Sequence, residues 1–77
     1  MELTIKYFGM ISELTSCEEE KILFEQTTIS ELLKDLFKKY PDLKNKDFRI
    51  AQDRKLVSLD SLISGQELAL LPPFAGG

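Results

Sequence analysis

The residues of this chain best suited to chemistry are the last seven, numbered 71–77, which we expect to end in a free carboxylate. Pro72 and Pro73 fix φ and have no N–H to give to a sheet, so the strand before them must stop. No residue after them favours a helix or a hairpin, so we predict a flexible arm over 72–77. Gly76 and Gly77 have no Cβ, so the arm could thread a narrow channel and present its carboxylate inside another protein's active site.

The composition excludes several function classes. The chain has no histidine, so a zinc or transition-metal site lacks its usual ligands, and the acid and base for any reaction would have to come from a partner. Its one cysteine, Cys17, cannot form an internal disulfide, and because Glu18, Glu19 and Glu20 follow it we interpret it as incidental. The formal net charge of −3, with no basic stripe, argues against a nucleic-acid partner.

Length and hydropathy predict a single cytoplasmic domain. A chain of 77 residues forms one domain with a small core, which favours a function in association with other proteins. No segment approaches the roughly 20 apolar residues of a membrane span, and the first residues lack the pattern of a signal peptide. We therefore expect no membrane contact.

Apolar periodicity predicts one main helix on a mixed sheet. Apolar residues recur at helical spacing from Ile29 to Tyr40, Thr28 and Glu31 form a capping-box pattern at the start, and Pro41 ends the helix. Alternating or continuous apolar segments predict strands over 3–7, 20–25, 48–51, 55–57 and 67–71. The order strand, strand, helix, strand, short strand, strand is that of the α+β class called β-grasp, with four or five strands and the helix on one face.

The connecting segments carry weaker signals. We predict one helical turn over 10–14, a polar loop over 42–47 and a reversal of the chain at Asp53-Arg54. Asp60 is placed to cap a further helical turn over 61–63 that ends at Gly65. The last strand is apolar almost throughout, which predicts a position in the middle of the sheet.

The tail and the segment before it, Ile63–Ala69, resemble the C-terminus of the MoaD family, the small sulfur-carrying subunits of molybdopterin synthase. That family belongs to a ubiquitin-like group that includes the thiamine-pathway carrier ThiS, and the element order fits it over the whole chain. Two positions differ: Gln66 stands where the family commonly has Asp, and Phe74 where it has a smaller β-branched residue. The resemblance implies a β-grasp domain over 1–71, with its last strand parallel to its first, and a tail over 72–77.

The resemblance also implies carboxyl activation at Gly77, in a subunit that carries sulfur but is not itself catalytic. An adenylating enzyme of the MoeB type would join the Gly77 carboxyl to AMP from ATP and Mg²⁺, and sulfur from a persulfide donor would displace AMP to leave a thiocarboxylate. The carrier itself would bind no cofactor. The thiocarboxylate would attack the pyranopterin precursor inside a large subunit of the MoaE type, in an expected heterotetramer. The tail residues implied to enter that subunit's channel are Pro72, Pro73, Phe74, Ala75 and Gly76.

One helix leaves the second face of the sheet uncovered. If Leu3, Ile5 and Tyr7 face the helix, then by alternation Phe8 faces away, as does Leu71. The resemblance implies that the positions matching Phe8, Leu56 and Leu71 dock the large subunit. The alternative is that Phe8 closes the end of the sheet and Leu71 is second-layer packing.

Three other functions remain open from the sequence. A ThiS-like carrier for thiamine synthesis uses the same C-terminal chemistry on another acceptor. A ubiquitin-like modifier would instead be joined through Gly77 to lysines of target proteins. A β-grasp binding module with an inert tail is the third. The residues of the tail favour the MoaD type over all three.

Overall fold

A single sheet of five strands carries the fold in the computed structural model, which describes residues 2–25, 27–64 and 67–73. The elements in chain order are β1 Glu2–Tyr7, α1 Met10–Thr15, β2 Glu19–Leu23, α2 Ile29–Lys39, a 3₁₀ helix Pro41–Asn45, β3 Arg49–Gln52, β4 Lys55–Leu56 and β5 Glu67–Leu71. All five predicted strands, the main helix and the helical turn after β1 are confirmed, with boundaries that differ by a few residues. No helix in the described part of the chain is long and apolar enough to cross a membrane.

The strand order in the sheet is β2-β1-β5-β3-β4, so β5 lies in the middle. It runs parallel to β1, with Thr4 opposite Glu67 and Tyr7 opposite Leu70, and antiparallel to β3. The pairs β1–β2 and β3–β4 are antiparallel. Both the central position of the last strand and its parallel pairing with the first are confirmed.

Helix α2 covers one face of this sheet. It begins where the Thr28 side chain accepts a hydrogen bond of 3.2 Å from the backbone N–H of Glu31, as the capping pattern predicted. Its apolar stripe packs on the side chains that alternate inward from the strands. The buried residues of the core are Leu3, Ile5, Tyr7, Ile11, Ile29, Leu32, Leu33, Leu36, Leu43, Ile50, Ile63, Leu68 and Leu70. Phe37 and Tyr40, also predicted for the stripe, pack against this core but are only partly buried.

The segment 42–47 differs from the predicted polar loop. Residues 41–45 form a 3₁₀ helix, in which Pro41 supplies a φ suited to the first helical position. Leu43 is fully buried, with 0% of its surface exposed. A lone apolar residue among charged neighbours gives no periodic signal, so the sequence did not reveal this core contact.

The segment 61–63 also differs from its prediction, because Leu62 forms an antiparallel bridge with Thr28 and no helical turn is capped by Asp60. Its backbone pairs instead with the entry to α2: Ile63 N–H donates to the Thr27 carbonyl at 2.8 Å, and Ile29 N–H donates to the Ser61 carbonyl at 2.9 Å. Those bonds satisfy donors on both segments and place Ile63 in the core with no exposed surface. Gly65, the predicted end of the turn, lies outside the described residues.

The predicted reversal at Asp53-Arg54 is confirmed. Both residues have positive φ, 49° for Asp53 and 73° for Arg54, between Gln52 and Lys55, which pair across the hairpin. Positive φ at both central positions defines a type I′ turn, whose twist matches that of the two strands.

Candidate functional site

The root of the C-terminal tail lies where β5 ends beside the end of β1. The backbone N–H of Phe8 donates to the Leu70 carbonyl at 3.2 Å, which continues the parallel pairing one residue beyond the strand. On its other side, Leu71 is opposite Arg49 of β3. The chain therefore leaves the middle of the sheet, held on both sides until the prolines.

A close contact between Gly9 and Pro72 sets the direction of this exit. Gly9 has φ +59°, and a Cβ added there would lie 2.9 Å from Cγ of Pro72, closer than real Cβ atoms approach other atoms. Glycine is needed here for its conformation as well as for the space it leaves. The sequence signal at this point is a glycine directly after the predicted first strand, and its partner was not predictable from it.

Phe8 and Leu71 line one shallow depression of about 310 Å³ on the sheet face opposite α2. Between them lie Ala51 and Ala69, which are directly opposite one another in the β3–β5 register. Phe8 is 43% exposed and Leu71 is half-buried. The expectation that both residues lie off the helix-covered core is confirmed, and the structure brings them together at the tail root.

Leu56 occupies a different position from the other two predicted docking residues. The register puts it opposite Ala51, hence on the same sheet face, but on the edge strand β4. It is 61% exposed and is not among the residues that line the depression. A docking surface that includes all three residues would extend from the depression to this edge.

Comparison with known proteins identifies the group to which the chain belongs. The model of the ThiS family matches residues 5–77. The chain belongs to the ThiS family. The coarser part of the predicted resemblance is therefore confirmed: the chain is a ubiquitin-fold sulfur carrier or modifier of the ThiS/MoaD group.

Solved structures of ThiS-like fold resemble the chain over nearly its whole length. A Pyrococcus furiosus protein assigned as molybdopterin converting factor, subunit 1, is 25% identical with a TM-score of 0.84, over 95% of this chain and 98% of that one. Small archaeal modifier protein 1 from Haloferax volcanii is 20% identical with a TM-score of 0.81, over 100% of both chains. The protein of that name from Methanosarcina acetivorans is 23% identical with a TM-score of 0.76, over 99% of this chain and 96% of that one. These similarities confirm the β-grasp fold.

Charged side chains surround the apolar centre of the depression. Lys6 Nζ lies 3.4 Å from a carboxylate oxygen of Glu67, and both side chains are more than a third exposed, so solvent weakens this pair. Asp53 and Arg54 of the β3–β4 turn complete the rim. An apolar centre with a charged rim is the pattern of a protein-protein interface. Within 2–25, 27–64 and 67–73, no group of three or more Cys, Asp and Glu residues could hold a metal ion.

A second polar cluster in this ThiS-family chain joins β2 to the end of α2. Glu20 accepts a hydrogen bond of 2.6 Å from the Tyr40 hydroxyl and one of 3.1 Å from Lys39 Nζ. Burial alone would raise the pKa of Glu20, but these hydrogen bonds together with the charge of Lys39 outweigh it and leave the pKa below its ordinary value. Burial, and then the hydrogen bond to Glu20, raise the pKa of the Tyr40 hydroxyl. The cluster ties the sheet edge to the helix.

Tyr7 and Cys17 border that cluster. The Tyr7 hydroxyl is buried and has no hydrogen-bond partner among the described residues; burial and the nearby Glu20 charge raise its pKa. The Cys17 thiol lies 3.7 Å from Glu20 Oε2 and is partly buried against the core. The thiol therefore belongs to the contacts that link β2 to the end of α2, since its Sγ also lies 4.0 Å from the Tyr40 hydroxyl.

Four of the predicted tail residues, Phe74, Ala75, Gly76 and Gly77, lie outside the described residues. Pro72 and Pro73 are half-buried, and Pro72 packs on Gly9. The division into a domain over 1–71 and a tail over 72–77 stays a prediction, as do the roles of the tail residues.

Proposed function

We propose that this chain is a MoaD-type sulfur carrier whose Gly77 carboxyl becomes a thiocarboxylate and gives its sulfur to a pyranopterin precursor inside molybdopterin synthase. The observation that carries the proposal is the exit of the tail root, through the Gly9–Pro72 contact, beside Phe8 and Leu71 on the uncovered sheet face. A partner docked there would be next to the segment that leads to Gly77. Membership of the ThiS family and similarity to the Pyrococcus furiosus protein support the same function.

The carboxyl is activated in two stages. An adenylating enzyme of the MoeB type joins a Gly77 oxygen to the α-phosphate of ATP, with Mg²⁺, and releases pyrophosphate. A persulfide sulfur of the donor then attacks the acyl carbon and AMP leaves. A thiol cleaves the resulting acyl disulfide, so that the donor ends as a disulfide and the carrier as a thiocarboxylate.

The domain contributes binding and position to this chemistry. Phe8 and Leu71 offer apolar surface at the tail root, and Leu56 extends it towards the sheet edge. We propose that the MoaE-type large subunit docks on this face within a heterotetramer. Buried apolar anchors near the centre of an interface typically carry most of its binding energy. The large subunit would supply the acid and base, since this chain has no histidine.

A reconstitution with a preformed thiocarboxylate tests the proposal. Cleavage of an intein fusion with sulfide gives the chain with a Gly77 thiocarboxylate. This chain is mixed with the large subunit and the pyranopterin precursor. We expect the dithiolene product to form and Gly77 to return as a carboxylate. The same chain with an ordinary carboxylate is the matched control and should give no product.

Two other outcomes would replace this function with another one. Sulfur transfer to a thiazole synthase, with none to the molybdopterin large subunit, would identify a ThiS-like carrier for thiamine synthesis. Formation of an isopeptide bond between Gly77 and lysines of other proteins, without sulfur transfer, would identify a modifier. The coarser conclusion, a ubiquitin-fold carrier or modifier of the ThiS/MoaD group, would stand in both cases.

A further inference from the structure

Two grooves flank α2, one along each side of the helix. The one between α2 and the β3–β4 edge, here called the β3-side groove, has a volume of about 730 Å³. Its apolar lining consists mainly of Leu33, Phe37, Phe48, Leu56, Val57 and Leu59. Phe37 and Phe48 meet edge to face, with ring centroids 6.5 Å apart, and Leu59 is 53% exposed. An open groove with this lining has the form of a binding site for apolar side chains.

The charges around the β3-side groove are opposite in sign to the protein as a whole. Lys34, Lys44, Lys46 and Arg49 line it with a single acidic residue, Asp47. The groove therefore has four of the ten cationic residues of the chain and one of its thirteen acidic residues, a local charge of +3 in a protein of net charge −3. Such an excess favours an acidic partner.

Most of these cations have no acidic partner among the described residues. The ion pairs among residues 2–25, 27–64 and 67–73 are Lys6–Glu67, Lys34–Glu31 and Lys39–Glu20. Lys44, Lys46 and Arg49 belong to none of them, and all three residues are exposed. Their charges are therefore available to carboxylates of another molecule.

The groove on the other flank of α2, between the helix and β2, provides an internal contrast. It is larger, at about 970 Å³, and it is also lined by apolar side chains, among them Ile22, Phe24 and Leu32. Its charged residues, however, are three acidic and three basic: Glu25, Glu31, Asp35, Lys34, Lys38 and Lys44. This balance selects no sign of charge, so only the β3-side groove specifies the chemistry of an occupant.

We propose that the β3-side groove binds a segment of a partner protein that combines large apolar side chains with flanking Asp or Glu residues. The apolar side chains would contact Phe37, Phe48 and Leu59, and the carboxylates would face Lys44, Lys46 and Arg49. Leu56 lines this groove and also belongs to the proposed docking surface of the large subunit, whereas Phe8 and Leu71 line only the depression. Occupation of the groove therefore leaves the depression itself accessible. The proposal does not depend on the chemistry of the tail.

Selection from an unbiased library tests the proposal without presuming a sequence. A phage-displayed library of random peptides is selected on the immobilised full chain, and the affinities of the enriched peptides are measured in solution. We expect the enriched sequences to contain acidic residues beside Leu, Ile, Phe or Trp. Amide chemical shifts on titration should change for Lys46, Phe48, Val57 and Leu59, and not for β2.

A matched pair of charge-reversal variants gives the control. Lys44→Glu/Lys46→Glu should weaken binding of the selected peptides about tenfold, since two attractions become repulsions. Lys21→Glu/Lys38→Glu makes the same change in net charge outside the β3-side groove. This variant should weaken binding of the selected peptides less than twofold. Failure to enrich acidic-apolar peptides, equal losses in both variants, or shifts confined to the β2 flank would each overturn the proposal.

Discussion

The two faces of β1 and β5 are built from alternate residues of the same strands, yet they differ in what they do. On the helix-covered face, Leu3, Ile5, Leu68 and Leu70 are at most 1% exposed. On the other face, Lys6, Ala69 and Leu71 are only half-buried, and Phe8 beyond the strand end is 43% exposed. One face holds the domain together, while the other surrounds the root of the tail with partly exposed apolar surface. Stability and recognition should therefore be separable by mutation.

The largest expected effect comes from the end of the tail, which belongs to neither face. Deletion of Gly77 should abolish sulfur transfer, because it removes the carboxyl that our proposal assigns to the chemistry, and it should leave the melting temperature unchanged. Sulfur transfer and thermal unfolding are measured on the same preparation. A clearly lower melting temperature would mean that the tail contributes to the fold.

On the helix-covered face, Leu33→Ala should lower the free energy of unfolding by about 2–5 kcal/mol, because it leaves a cavity under α2. Leu33 is only 6% exposed and belongs to the core cluster. Denaturant titration measures the loss, and binding to the large subunit is measured per folded molecule. A loss of binding that exceeds the unfolded fraction would contradict the assignment of large-subunit docking to the uncovered face.

On the uncovered face, Phe8→Ala should show the opposite pattern. We expect more than about 2 kcal/mol less binding free energy with the large subunit, roughly thirtyfold in affinity, and a much smaller loss of stability than for Leu33→Ala. Calorimetric titration and denaturant unfolding give the two numbers. If Phe8→Ala destabilised the domain as much as Leu33→Ala and bound normally when folded, the partner surface would lie elsewhere.

Gly9→Ala tests the contact between Gly9 and Pro72 at the root of the tail. The backbone strain at φ +59° and the approach to Pro72 should together cost about 1–3 kcal/mol of stability. Adding Pro72→Ala removes the ring that the new methyl group meets, so the double variant should recover part of the loss. No recovery would mean that backbone strain accounts for the whole effect and that the contact does not hold the tail root.

The smallest expected effect is a pH dependence at the β2 edge. The pKa of Glu20 in the folded protein is lowered from 4.5. Its contribution to the free energy of unfolding is therefore complete above pH 4.5 and is lost as the pH falls through the lower folded-state pKa. Tyr40→Phe removes the 2.6 Å hydrogen bond, so the variant should be about 1 kcal/mol less stable at pH 7. Melting curves should show this gap closing as the pH falls below 4.5. A gap that stays constant or widens in acid would contradict the role of Glu20.

Periodic features of the sequence were predictable, whereas single contacts between distant segments were not. The apolar stripe of α2 and the alternation of β1 repeat over several residues, so each pattern predicted the type of secondary structure and the face that is buried. Leu43 and Ile63 enter the core as single apolar residues in polar segments, and no pattern marks them. The Gly9–Pro72 contact joins the two ends of the chain, so it depends on the register of β5 against β1.

The candidate site was predicted in the same uneven way. Side-chain alternation along a strand predicted that Phe8 and Leu71 lie outside the core, and in the structure both residues line the depression. Leu56 was assigned from a resemblance alone, and the structure separates it from the depression because it belongs to the edge strand β4. The cations of the β3-side groove come from separate segments: Lys34 from α2, Lys44 and Lys46 from the 3₁₀ helix and its end, and Arg49 from β3. The sequence therefore contains no local run of basic residues that would predict the groove.

The most direct test of the central claim is the intact mass of the chain after incubation with ATP, Mg²⁺, the adenylating enzyme and a persulfide donor. We predict the mass increase of one oxygen-to-sulfur exchange, located on Gly77 by fragmentation and absent when Gly77 is deleted. An unchanged mass under conditions in which a known carrier is fully converted would contradict the account. So would a sulfur atom located on Cys17.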